Sequence, residues 1–182
     1  MAAVTPTYHQ NNAILQELRR LRRGDHESTI YGIWNSILSL QFPITQGYVT
    51  RPQDRHTDQA GKKGFSDLHV FHYRGAASTA TKFLIVQCKR IGDEGKKSVW
   101  KQAIGQLNRY LGATHGRRPR ANRTAVYGIA GIGKEMRVFK YDDVKQRVFE
   151  WAPHGWLRGS KFHLENNRVK VQQILDAILN DH

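Results

Sequence analysis

Four apolar residues, Phe83-Leu84-Ile85-Val86, run without a break into Gln87-Cys88-Lys89-Arg90, and this stretch constrains the fold more than any other. A run of this kind reads as a buried strand, which needs cover on both of its faces. Side chains alternate along a strand, so Gln87 and Lys89 share one side while Cys88 points to the other. An amide oxygen and an ammonium at the end of a buried strand cost desolvation energy. A metal-dependent active site is one arrangement that would offset it.

Helical and strand periodicities alternate through the rest of the chain. Residues 11 to 23 read as a basic helix, with Ile14, Leu18 and Leu21 as its apolar stripe, Arg19, Arg20, Arg22 and Arg23 at its end, and Gly24 to terminate it. Asp25 is a good N-cap for a second helix, whose Ile30, Ile33, Trp34, Ile37 and Leu38 keep helical spacing. Glu27 sits at the edge of that apolar face, in the first turn, where the helix dipole favours an acid. Residues 43 to 64 are mostly loop around a short Tyr48-Val49 strand. Phe65 to Tyr73 reads as a strand with Asp67, His69, Phe71 and Tyr73 on one face and Leu68 and Val70 on the other. A small-residue turn from Gly75 to Thr81 then leads into the Phe83 strand, so the two predict an antiparallel hairpin.

A helix of about 15 residues starts at Lys97, with Trp100, Ala103, Ile104, Leu107 and Leu111 as its core stripe. Strands over Thr124 to Ala130, Met136 to Tyr141 and Arg147 to Trp151 precede a final amphipathic helix built on Val171, Ile174, Leu175, Ile178 and Leu179. This order predicts an α/β (α+β) fold in a single domain, a mixed central β-sheet flanked by helices. No repeat or linker divides the 182 residues. Within 1–182 the pattern separates a basic N-terminal helical arm (1–24), a core (25–130), and C-terminal strands and helix (131–182).

Asp67 and Gln87 fall on adjacent strands, and Lys89 shares the face of Gln87. In the right register an acid, an amide oxygen and a lysine converge. Mg²⁺ (or Mn²⁺) wants hard oxygen ligands, which Asp67, Gln87 and the Cys88 oxygen could supply together with a phosphate. Lys89 could orient or help deprotonate an attacking water and offset transition-state charge. Glu27 could assist.

The pattern Asp67, then Gln87-Cys88-Lys89, resembles the PD-(D/E)XK nuclease superfamily, and specifically its Mrr-type restriction endonucleases, which use Asp followed by Gln-x-Lys. The strand, turn, strand, helix order matches the restriction-endonuclease-like core. Glu27 resembles the glutamate that members often carry on the helix before the core sheet. Gln106 and Tyr110, four apart on the next helix, resemble the Gln-x-x-x-Tyr element that supports the site and contacts nucleic acid in some members. The resemblance covers roughly residues 25 to 130, and each of its motifs is short. It implies a metal-dependent nuclease hydrolysing phosphodiester bonds in DNA, with Asp67, Gln87 and Lys89 as the catalytic core. Ser66 stands where proline is usual, and Gln87 replaces the commoner acid. The latter leaves Asp67 as the one carboxylate on these strands, and metal affinity then depends on help from Glu27.

Other motifs carry less. Gly128-Ile129-Ala130-Gly131-Ile132-Gly133-Lys134 has the outline of a phosphate loop. Glu135 stands where Ser or Thr should meet magnesium, and strand follows, so a hairpin turn is expected. The nine histidines show no zinc-site spacing, and His69, on the face of Asp67, could be a ligand, although a polar residue lining a strand is the commoner case. Cys88, the single cysteine, excludes an intramolecular disulfide and fits a reducing compartment. Trp151 and Trp156 serve either as base-stacking platforms or as packing for the last helix.

Lys and Arg total 29 against 15 acids, a net charge of +14, which favours a polyanion through counterion release. Arg117, Arg118, Arg120 and Arg123 crowd one loop suited to phosphate, and Lys62 and Lys63 add charge near the site, as do Lys96, Lys97 and Lys101. The expected partner is nucleic acid, DNA ahead of RNA, with a homodimer allowed. No apolar run approaches the roughly 18 residues of a membrane span, and the start lacks the regions of a signal peptide. An intracellular location, nuclear or cytoplasmic, is expected. Three readings stay open: a nuclease, a catalytically inactive nucleic-acid-binding module on the same fold, and a basic interaction protein.

Overall fold

The computed structural model describes residues 7–57, 61, 63–75, 80–116, 119 and 123–182. Among these the α-helices are α1 (Asn12–Arg20), α2 (Glu27–Gln41), α3 (Lys97–His115) and α4 (Arg168–Asp181). The strands are β1 (Tyr48–Pro52), β2 (Arg55–Thr57), β3 (Lys63–Phe65), β4 (Leu68–His72), β5 (Thr81–Lys89), β6 (Tyr127–Ile132), β7 (Glu135–Asp142), β8 (Arg147–Glu150) and β9 (Phe162–His163). Seven of them form one mixed sheet in the order β1-β4-β5-β6-β7-β8, with β9 paired to β7, while β2 and β3 make a separate two-stranded sheet.

The Phe83 run lies in the middle of the large sheet and is fully buried. Leu84, Val86 and Cys88 belong to the cluster formed with α1, α2 and α4, and Ile85 to the cluster formed with α3. Both faces of β5 are therefore covered by helix, as its unbroken apolarity requires. β4 runs antiparallel to β5 and β6 parallel to it. A parallel neighbour needs a crossover, and α3 provides it. On the opposite face Trp34 of α2 lies so close to β6 that a Cβ at Gly131 would collide with the indole nitrogen. Glycine is what lets that helix settle onto the sheet.

Several local expectations change in the folded chain. The basic helix ends at Arg20, and Ile14, Leu15 and Leu18 bury it against α2, so the expected arm is part of the core. The N-cap of α2 is His26, whose Nδ1 accepts from Ser28 N at 3.3 Å, and not Asp25. Asp25 instead accepts from Arg22 N at 2.8 Å in the preceding turn. The strand expected over Phe65 to Tyr73 breaks at Ser66 and Asp67. Residues 63 to 65 pair with β2, and the main-sheet strand begins at Leu68. At the break Ser66 N donates to Asp54 O at 3.0 Å and Gln53 N donates to Asp67 O at 2.9 Å, so the backbone exchanges one partner strand for another. The glycine-rich stretch from 128 to 134 is a β6–β7 hairpin in which Ile132 pairs with Glu135 across Gly133, at φ +52°.

Candidate active site

The register of the β4–β5 pair decides what meets at the end of β5. Leu68 lies opposite Val86, which brings Asp67, just before β4, beside Gln87. Gln87 Nε2 donates to Asp67 Oδ2 at 2.5 Å, and Cys88 N donates to the same oxygen at 2.6 Å. Neither bond uses Oδ1. The Gln87 side chain is buried, and its Oε1 has no hydrogen-bond partner among the described residues. Gly133 N, in the β6–β7 turn, donates to Lys89 O at 3.0 Å and pins the strand end. Lys89 Nζ lies 3.5 Å from Glu27 Oε1, in the first turn of α2. Glu27, Asp67, Gln87 and Lys89 thus gather from one chain, and a homodimer is not supported by the site.

Burial is the main influence on the Asp67 carboxyl and raises its pKa to about 6. The Cys88 N–H and the Lys89 ammonium pull the other way, and the Glu27 charge adds to the rise. A half-buried carboxylate and a buried amide oxygen, unpartnered among the described residues, fit the hard donor set of Mg²⁺ or Mn²⁺. The Cys88 thiol is fully buried and pushed well up by that burial and by Asp67, so it stays protonated and serves the core. Asp67 and Glu27 open onto a cleft of about 390 Å³, lined also by His26, Ser28, Tyr31, Pro52 and Gln53. Tyr31 is a site residue that sequence patterns do not single out. Its hydroxyl pKa is raised by burial and by the nearby Cys88 and Asp67, and its position one turn after Glu27 on α2 is the signal that could have found it.

A second polar cluster lies behind the Ser66–Asp67 break. Asp54, His56 and His69 each offer a donor atom, all within 4.8 Å of one another, and together they could hold a metal ion. His69 Nδ1 is 2.9 Å from Asp54 Oδ2, and burial lowers the His69 pKa, so this is a hydrogen bond of a neutral imidazole. His56 is brought down to about 4 by burial and by His69. Its Nε2 lies 2.8 Å from Ser66 Oγ and its Nδ1 3.1 Å from Thr114 Oγ1. Alternation along the chain places His69 on the face of Asp67, as a strand-lining residue or a ligand there, and does not set it against Asp54. The signal it leaves out is Asp54-x-His56, in the turn before β2 and on β2 itself, which only the fold sets against His69.

Gln106 and Tyr110 share a face of α3 as their spacing implies. Tyr110 is buried and its ring stacks on His56, with centroids 5.0 Å apart and planes at 23°. It passes so close to Gly64 that a Cβ there would lie 2.7 Å from its ring. Tyr110 therefore packs against the β2–β3 hairpin from α3. Gln106 is half-buried, with its Oε1 unpartnered among the described residues. Lys63 is exposed, and Arg123 reaches Asp143 at 4.0 Å. Lys62, Arg117, Arg118 and Arg120 lie outside the described residues. Trp151 packs edge-on against Tyr127 and Trp156 against Phe162, so both indoles pack as structural side chains. Among the described residues no helix is long and apolar enough to cross a membrane.

No protein-family model matches this chain, and no curated protein matches it. Among solved structures it is similar to the cryo-EM structure of a DrdV–DNA complex, with a TM-score of 0.55 and 11% sequence identity. The match covers 93% of this chain and 14% of the DrdV chain, so the chain spans about one seventh of that protein's length. At this identity the likeness is one of fold alone.

Proposed function

We propose that this chain is a divalent-metal-dependent nuclease acting on DNA, a PD-(D/E)XK protein of the Mrr type with a Gln-x-Lys motif. The observation that carries this reading is the convergence at the end of β5: Asp67 on Gln87 at 2.5 Å, Lys89 on Glu27 at 3.5 Å, and a buried Gln87 oxygen without a partner among the described residues. The +14 charge and the likeness to a fold captured with DNA support the substrate class.

Asp67, the Gln87 amide oxygen and the Cys88 carbonyl oxygen would hold Mg²⁺ or Mn²⁺, with Glu27 assisting. Bound there, the ion supplies Lewis-acid polarisation of the scissile phosphate and a more acidic water. Lys89 brings a cation to where negative charge develops and can hold the attacking water. Glu27 holds that ammonium in place. The Cys88 N–H and Gln87 Nε2 fix the orientation of the Asp67 carboxylate, so a site of few residues arrives pre-organised.

The test is cleavage of plasmid DNA with Mg²⁺ or Mn²⁺ by the wild type and by Asp67→Ala and Lys89→Ala. Cleavage that each variant lowers by about 100-fold or more supports the reading. Cleavage that survives in both variants rejects it. Gln87 in place of an acid favours a second reading, an inactive nucleic-acid-binding module on the same fold. DNA binding by a wild type that shows no metal-dependent cleavage would select that one.

A further inference from the structure

We propose that Asp54, His56 and His69 form a second metal site, distinct from the Asp67 and Gln87 oxygens, that takes a transition ion of the Zn²⁺ class. The three side chains come from three segments, the turn after β1, strand β2 and strand β4, and their donor atoms lie within 4.8 Å of one another. Zinc bonds to imidazole and carboxylate are about 2.0–2.2 Å long, which places neighbouring donors roughly 3–3.5 Å apart. Asp54 Oδ2 and His69 Nδ1 already stand 2.9 Å apart, so closing the rest needs only small side-chain movements.

Donor chemistry separates this site from the other one. Two imidazoles and one carboxylate suit Zn²⁺, Co²⁺ or Ni²⁺, whereas Mg²⁺ seeks oxygens. The His69 side chain is 0% exposed, and Nδ1, the nitrogen that faces Asp54, is the one an ion would take, with the ring proton then carried on Nε2. His56 carries the outer support usual for a metal ligand: Thr114 Oγ1 on Nδ1 at 3.1 Å and the Tyr110 ring stacked on its face. Its Nε2 now faces Ser66 Oγ at 2.8 Å, and that hydrogen bond is the one an ion would replace.

The role that follows is structural. Ser66, His56 and His69 are buried, so a polymer cannot reach an ion among them. An ion there would tie the Asp54 turn, the β2–β3 hairpin and β4 together, directly behind the break that carries Asp67.

The full chain, freed of metal by chelation, is titrated with Co²⁺ and followed by visible d–d absorption. One equivalent of a Zn²⁺-displaceable band is expected, weakened about 100-fold or lost in His69→Gln and His56→Gln, and unchanged in Asp67→Asn. Because the histidine variants can misfold, the wild type is also examined by NMR of its imidazole nitrogens. Zn²⁺ should shift those of two histidines and leave the other seven in place. Absence of both the band and the shifts overturns the proposal, as does a band that Asp67→Asn removes and the histidine variants retain. Neither readout uses DNA cleavage, so this site and the nuclease reading can fail separately.

Discussion

Gln87 donates its side-chain amide to Asp67 at 2.5 Å from within the sheet, so the two residues form a neutral–acid pair where a pair of acids would face each other if residue 87 were a carboxylate. In an environment where burial, aided by the Glu27 charge, already lifts Asp67 to about 6 against the pull of the Cys88 N–H and Lys89, a second charge at that distance would be costly. The glutamine thus lowers the electrostatic cost of the metal-free state, and it gives up one negative charge that would attract a cation.

Gln87→Glu is therefore expected to trade stability for metal binding. Without metal the variant should lose about 2 kcal/mol or more, since a donor becomes a like charge. With Mn²⁺ it should gain more stability than the wild type does. Urea denaturation with and without Mn²⁺ measures both. Equal metal-induced shifts in the two proteins would place the ion elsewhere.

Asp67 carries its own pH signature. Its folded pKa of about 6 lies above the ordinary carboxylate value of 3.8, so between these pH values the folded state keeps a proton that the unfolded chain has lost. Stability from this group consequently falls as pH rises from about 4 to about 6 and stays lower above that, by on the order of 2–3 kcal/mol. Asp67→Asn should flatten that fall and make the metal-free protein more stable at pH 7 to 8, while abolishing cleavage. Urea unfolding across this pH range decides it: an unchanged slope in Asp67→Asn means another group titrates.

Lys89 and Glu27 should separate function from stability. Their side chains are 12% and 40% exposed, so the pair is partly solvent-screened. Lys89→Met should cost little more than about 1 kcal/mol in stability and yet lower single-turnover cleavage by about 100-fold or more. Glu27→Gln, which leaves the lysine in place and loosens it, should cost about tenfold. A larger loss from Glu27→Gln than from Lys89→Met would reverse these roles.

The basic loop predicts a salt dependence. Replacing Arg117, Arg118, Arg120 and Arg123 together by Ala should weaken DNA binding for all sequences and reduce the slope of log K against log [salt] by up to about 4, one for each phosphate that an arginine no longer neutralises. An unchanged slope would mean the loop does not touch the backbone of the nucleic acid.

Part of this molecule was legible in its sequence because the governing physics is local. An unbroken apolar run has to be a doubly covered strand, and Phe83–Val86 is one. Alternation put Cys88 on the face opposite Gln87 and into the α2 cluster, where it is found. The helical spacing of Ile30, Trp34 and Ile37, and the turn at Gly133, likewise depend only on near neighbours in the chain. Tertiary structure decided what periodicity does not encode, namely which segments meet. It broke the expected Phe65–Tyr73 strand at Ser66 and Asp67, because residues 63 to 65 found β2 while Leu68 onward found β5. It buried Tyr110 against His56 and Gly64, although spacing had shown only which face it shared with Gln106. It also set Asp54 and His56 against His69. Each of these outcomes rests on hydrogen bonds and close packing between residues distant in the chain, whose energies no local pattern contains.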